Sequence, residues 1–128
     1  MNKYRPHIFH SHFGNRAWFD LPLVQDIGLK QVVTFYRFDV GILPVKNPIW
    51  LRRYQELFYN AFLFVCEGPY MANSLVELGC LEEKVVVHRF GIETEKIQYK
   101  ARKIKPGKPI KILIAGAFLE KKGIPYML

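Results

Sequence analysis

Four short segments hold the residue types from which a binding or catalytic site could be built. The first is HIFHSHFG, His7 to Gly14. On an extended strand His10 and His12 point to one face and could share a metal, whereas His7 faces the other way and gives no third ligand. A core histidine plus one at the strand's carboxyl end is therefore favoured over a zinc site, and no metal is expected. The second segment is VVTFYRFDV, Val32 to Val40. It reads as a buried strand ending in Tyr36, Arg37 and Asp39, whose hydroxyl, guanidinium and carboxylate could hydrogen-bond a polyhydroxylated substrate, or could form a salt-bridged loop. The third is CEGPYM, Cys66 to Met71, where Glu67 or Gly68 precedes a helix with Pro69 in its first turn, an ordinary helix start. The fourth is AGAFLEKKG, Ala115 to Gly123. It reads as a strand, a Gly-containing turn and a basic helix start near Lys121. There Gly116 would allow close backbone approach, and Lys122, beside Gly123, could neutralise a phosphate. A charged helix start on a solvated face is the alternative.

These segments need elements to position them, and the apolar pattern supplies candidates. Short blocks at His7 to His10, Gln31 to Tyr36, Phe62 to Cys66, Lys84 to His88 and Ile110 to Ile114 read as buried parallel strands. Between them, Trp18 to Ile27, Pro48 to Asn60 and Pro69 to Leu78 read as helices, with Pro48 and Pro69 in first turns and Gly28 and Gly79 at the stops. The alternation predicts a doubly wound parallel sheet with right-handed crossovers. His12 and Gly14 then fall outside the carboxyl end of a strand, where open α/β sheets bind ligands. From Arg89 to Pro109 the pattern breaks into a charged, Pro- and Gly-containing stretch that reads as an exposed connector.

Composition narrows the classes further. The chain has 128 residues, is half apolar, and carries 19 Lys and Arg against 11 Asp and Glu, a net charge of +8. Such a chain can bury a core, and its basic excess makes an anionic partner plausible, with a solubilising face as the bland alternative. The excess is spread through Arg52-Arg53, Lys100 to Lys111 and Lys121-Lys122 without a nucleic-acid-binding module, so nucleic acid is not expected as a partner. Cys66 and Cys80 lie in apolar surroundings without CxxC spacing, which predicts buried reduced thiols. No apolar run reaches membrane-span length and no secretion signal is visible, so a cytoplasmic location is expected. No Ser-His-Asp set, P-loop, GxGxxG or carboxylate pair is visible, which weighs against hydrolase and kinase readings.

Taken in order, HSHFG, VVTFYRFDV, the block from EGPYM through LVELGCLEEKVVVHRFGIE, and AGAFLEKKG resemble the retaining glycosyltransferases of the GT-B fold, specifically glycosyltransferase family 4 of the colanic-acid and polysaccharide-building type. The resemblance covers almost the whole chain. It implies an α/β, Rossmann-like parallel sheet with flanking helices, present as an incomplete GT-B. On this reading, residues 1–99 are the later part of the amino-terminal, acceptor-side domain, 100–109 the interdomain connector, and 110–128 the start of a truncated carboxyl-terminal, donor-side domain. The activity implied is transfer of a sugar from a nucleotide-sugar to a glycan or lipid-linked acceptor with retention, usually without a metal or other cofactor. His12, Gly14, Tyr36 and Asp39 become acceptor-side candidates. Gly116, Lys122 and Gly123 become donor-phosphate candidates.

Two departures stand out: Tyr36 where the family often has His, and Ala117 where it usually has Arg. They leave Lys122 as the matched cation and argue for subgroup membership. Most of the donor domain has no counterpart, so the 128 residues alone are expected to be inactive. Lipid-linked acceptors imply peripheral association with the inner membrane face. The competing reading is a non-catalytic α/β binding protein that uses its basic surface for an anionic partner.

Overall fold

The computed structural model describes residues 6–101, 103, 106, 107 and 109–127. Four parallel strands form the sheet: β1 (Ile8–His12), β2 (Lys30–Thr34), β3 (Leu63–Cys66) and β4 (Val85–Val87). The helices are α1 (Gly14–Asp26), α2 (Arg37–Gly41), α3 (Leu43–Lys46), α4 (Ile49–Asn60) and α5 (Pro69–Glu77). Chain order gives strand order, β1-β2-β3-β4. In register, His12 lies beside Thr34, Thr34 beside Val65, and Val65 beside Val86.

The parallel sheet with flanking helices agrees with the expected class, and among the described strands no reversal of order occurs. Doubly wound sheets reverse strand order at a switch point, and here each strand steps to the same side of its predecessor. Crossovers of one hand then lay their helices on one face. Helix α1 packs on α4 and against β1 and β2, α2 packs on α5, and α5 covers β3 and β4. Alternation along the strands follows. Ser11, Gln31, Val33, Phe64 and Cys66 point into the helix layer and are buried, while Ile8, His10, His12 and Val86 on the opposite face are exposed.

The core between sheet and helices is aromatic. Phe35 meets Tyr54 edge to face at 5.3 Å and Phe64 at 6.0 Å, and Phe58 meets Phe64 at 5.2 Å. Leu21 of α1, Leu57 of α4 and Leu75 of α5 close it. Each such side chain contributes about 1.5–3 kcal/mol when fully buried. Cys66 and Cys80 are buried and unpaired, as their surroundings predicted, and burial raises both thiols, Cys80 to about 11.

Several boundaries move. Strand β1 runs on to His12, so His10 and His12 share a face as expected, and α1 begins at Gly14 rather than near Trp18, carrying Pro22 in its middle. The stretch after Thr34 is a short helix rather than a strand end. The chain divides into two compact units, Met1–Ile92 and Glu93–Leu128. In the second, Ile110 to Ile114 forms no strand, and Ile110, Ile112 and Leu113 are exposed. A strand without a partner has no ladder to hold it. The helix expected near Lys121 is replaced by two 3₁₀ turns, Glu120–Lys122 and Ile124–Tyr126, separated by Gly123 in the left-handed region at φ 69°. Part of the expected connector (Arg102, Ile104, Lys105 and Lys108) lies outside the described residues.

Candidate functional site

At the carboxyl ends of β1 and β2 the chain leaves the sheet in two loops, and one buried carboxylate ties them together. Asp39 is fully buried, and its Oδ2 accepts the Gly14 N–H at 2.6 Å while Oδ1 accepts the Tyr36 N–H at 2.8 Å. The second bond reaches back from the third position of α2 to its N-cap, a local reason for the helix to start there. The first crosses to the start of α1, 25 residues away in sequence. Burial pushes the Asp39 carboxyl up to about 6, outweighing the opposing pull of the N–H donors. The Tyr54 hydroxyl donates to the Asp39 carbonyl at 2.9 Å, and desolvation, with the nearby carboxylate, raises the phenol.

Gly14 is there because nothing larger fits: a Cβ would overlap the Phe35 ring. The residue before it carries backbone strain. Phe13, at φ 70° and ψ 128°, is the one described non-glycine residue with positive φ, a conformation costing on the order of 1–3 kcal/mol. Its N–H donates to the Thr34 carbonyl at 2.9 Å, and its ring, nearly half exposed, sits 4.5 Å from the Tyr36 ring.

Above this frame lies an exposed polar and aromatic group. His12 Nδ1 and the Tyr36 hydroxyl are 2.7 Å apart. With the tyrosine donating to Nδ1, Nε2–H is left as a donor for a ligand oxygen. His10 lies 4.5 Å from His12 between ring centroids and bonds the Thr34 hydroxyl through Nε2 at 2.8 Å; desolvation first, then the neighbouring His12, lowers its pKa. Phe90, two-thirds exposed, stacks parallel to Tyr36 at 6.3 Å. A hydroxyl, an imidazole and aromatic faces in one open patch can hydrogen-bond hydroxyls and pack against the C–H face of a sugar ring.

Of the four acceptor-side candidates, His12 and Tyr36 are brought into contact, Gly14 lies directly beneath, and Asp39 points inward as their tie. Arg37 is exposed at the start of α2. Phe13 and Phe90 were not among the candidates: no local pattern marks a positive φ at Phe13, and the Tyr36 stack joins residues 54 positions apart. The donor-phosphate candidates lie in the second unit. There Gly116 occupies a bend, Lys122 is exposed, and the Gly123 N–H closes a turn onto the Glu120 carbonyl. Among the described residues no group of three or more His, Cys, Asp or Glu side chains is placed to hold a metal. Nor is any described helix long and apolar enough to cross a membrane.

Comparison with curated proteins adds what geometry alone does not. The chain is 28% identical over 125 residues, 94% of its length, to the Escherichia coli K12 protein provisionally named colanic acid biosynthesis glycosyltransferase WcaL. It is 27% identical over 120 residues to the similarly named protein of Salmonella typhimurium LT2. It is 32% identical over 95 residues, 74% of the chain, to the amylovoran biosynthesis glycosyltransferase AmsK of Erwinia amylovora. These relatives are named as glycosyltransferases of polysaccharide biosynthesis. The chain spans 30%, 29% and 23% of their respective lengths. No family model matches it, and no solved structure matches it.

Proposed function

We propose that these residues are part of a retaining GT-B glycosyltransferase of family 4, acting in polysaccharide biosynthesis. The observation that supports the reading is similarity over 94% of the chain to a protein provisionally named as a colanic acid biosynthesis glycosyltransferase; the family and the retention come from the sequence resemblance. In this reading residues 1–99 contribute the acceptor side, 100–109 the connector and 110–128 the first turn of the donor side. The acceptor is a glycan or lipid-linked sugar, and the donor a nucleotide-sugar.

On the acceptor side, His12 and Tyr36 direct hydroxyls, Phe13 and Phe90 offer apolar faces, and Asp39 with Gly14 fixes the two loops. On the donor side, charge develops on a leaving diphosphate, and close backbone approach at Gly116 with the Lys122 ammonium, held at the turn that Gly123 closes, provides the kind of stabilisation that step needs. Lys122 alone is a thin donor site. The 128-residue chain therefore binds glycan weakly and transfers nothing.

The test is a titration of the isotope-labelled chain followed by nuclear magnetic resonance. Oligosaccharides cut from colanic acid should shift the signals of His12, Phe13, Tyr36 and Phe90, and Tyr36→Phe should weaken the response several-fold. UDP, GDP and ADP should leave the chain unshifted. Glycan that leaves those four residues silent would refute the acceptor-side assignment. Tight nucleotide binding would show a donor site more complete than proposed.

A further inference from the structure

The polar and aromatic patch at the carboxyl ends of the strands is flanked in the chain by two arginines. Arg37 directly follows Tyr36, and Arg89 directly precedes Phe90, whose ring stacks parallel to the Tyr36 ring at 6.3 Å. Both arginines are exposed. The ion pairs among the described residues are Arg16–Asp20 and Lys96–Glu93, so neither guanidinium beside the patch is paired with a carboxylate. Asp39, two residues beyond Arg37, is fully buried, and its oxygens already accept the Gly14 and Tyr36 N–H groups. Glu67, after β3, is the exposed carboxylate at these strand ends. Fixed charge around the patch is therefore positive, with two exposed guanidinium groups against one exposed carboxylate.

A neutral sugar needs hydrogen-bond partners but no countercharge, and His12 with Tyr36 meets that need. Arginines beside them add a different capacity. The planar fork of a guanidinium matches a carboxylate in two parallel hydrogen bonds, which a lysine ammonium does not reproduce. Aromatic faces at Phe13 and Phe90 take the C–H side of a sugar ring. We propose that the sugar received by this patch is an acidic one, a uronic acid, with its hydroxyls toward His12 and Tyr36 and its carboxylate held by Arg37 and Arg89. A sugar phosphate would draw on the same charges, and the test separates the two. The inference rests on the acceptor-side reading above and names the class of acceptor within it.

Cellobiose and glucuronyl-β-1,4-glucose differ only in a hydroxymethyl group against a carboxylate, so the ratio of their affinities isolates the charge. Each is titrated into the full isotope-labelled chain and followed by nuclear magnetic resonance. The acidic disaccharide should bind about fivefold more tightly, the gain from two exposed cations, and should shift Arg37 and Arg89 signals that cellobiose leaves in place. Arg37→Gln and Arg89→Gln should each lower the ratio to about twofold. Tyr36→Phe should weaken both sugars and keep the ratio. Arg52→Gln removes the same charge from α4 and should change neither affinity. Raising salt from about 0.1 to about 1 M shortens screening from about 10 to about 3 Å and should bring the ratio close to one.

The outcomes separate this inference from the reading beneath it. If neither disaccharide shifts His12, Phe13, Tyr36 or Phe90, the acceptor site fails and the acid preference fails with it. Equal affinities with those four residues shifted would leave the acceptor site standing and overturn the acid preference alone. A preference that survives both arginine variants, or that Arg52→Gln removes as well, would trace to the charge of the whole chain and overturn the assignment. Cellobiose phosphorylated at the same carbon should bind no more tightly than the uronic acid. Tighter binding of the phosphate, lost in Arg37→Gln and Arg89→Gln, would make the arginines a phosphate site and refute the uronic acid.

Discussion

Asp39 shows how one residue can decide the geometry of a site it does not occupy. Its two oxygens hold the N–H groups that begin α1 and α2, so His12, Phe13 and Tyr36 keep their relative places only while both bonds last. Asp39→Ala leaves two N–H groups without an acceptor, at about 1–3 kcal/mol each, and urea unfolding should register the loss. The pH dependence has a definite sign. The carboxyl titrates at about 6 in the fold against 3.8 ordinarily, so the folded chain holds the proton more tightly than the unfolded one. This contribution is full below pH 3.8 and is lost as pH rises through 6, by up to roughly 3 kcal/mol. The stability gap between wild type and Asp39→Ala should therefore narrow from pH 4 to pH 7; a widening gap would show that the N–H bonds outweigh burial. Gly14→Ala attacks the same frame sterically. Its methyl group must displace the Phe35 ring, and a loss of about 1–3 kcal/mol is expected in the same assay.

Among the elements, those the sequence announced are those whose signal is local. Strand β3 is a continuous apolar run, β2 centres on the pair Val32-Val33, α4 and α5 open on prolines, and α4 buries a clear stripe. What stayed hidden depends on partners distant in sequence. Helices α2 and α3 are too short for periodicity to show, and α2 is held by a carboxylate whose other partner, Gly14, lies on the far side of β2. Tyr36 was legible as a polar residue after a strand, but its neighbours Phe13 and Phe90 were not. Lys84 is a third case, a residue that the sequence places simply at the start of a strand block. In the fold its ammonium donates to the carbonyls of Phe58, Tyr59 and Ala61 at 2.8, 3.1 and 3.0 Å, closing the carboxyl end of α4 from the turn before β4. A cation there also meets the negative end of the helix dipole. Lys84→Met keeps the stem and removes the donors. A loss of about 1.5–3 kcal/mol is expected, along with faster amide exchange at the end of α4; unchanged exchange would mean that water replaces the lysine without cost.

At the scale of the whole molecule, the consequence lies in the winding of the sheet. Local pattern specifies which segments are strands, but not the side to which each crossover steps, so the one-way order of the four described strands is not legible in sequence. The order has a physical consequence. Parallel sheets ordinarily have both faces covered, and here the face opposite the helices carries Ile8, Val32, Leu63, Val65 and Val86, of which Ile8 and Val86 are 55% and 42% exposed. Val32 lies in register with Leu63 and Val65 with Val86, so these four make an apolar patch, and patches of this kind mark contact sites or promote association. The 128-residue chain should bind an apolar dye such as anilinonaphthalene sulfonate while its near-ultraviolet circular dichroism still reports fixed aromatic packing. Sedimentation velocity should show reversible association that grows with concentration. Val65→Thr with Val86→Lys places polar groups on that face without touching the aromatic core, and should abolish both dye binding and association while changing the melting temperature little. Dye binding that survives this pair, but falls in Phe19→Asp/Leu23→Asp, would move the exposed apolar surface from the sheet to the outer side of α1. A chain that binds no dye and stays monomeric at high concentration would mean that these aliphatic side chains are covered in solution, and that the open sheet face does not describe the protein there.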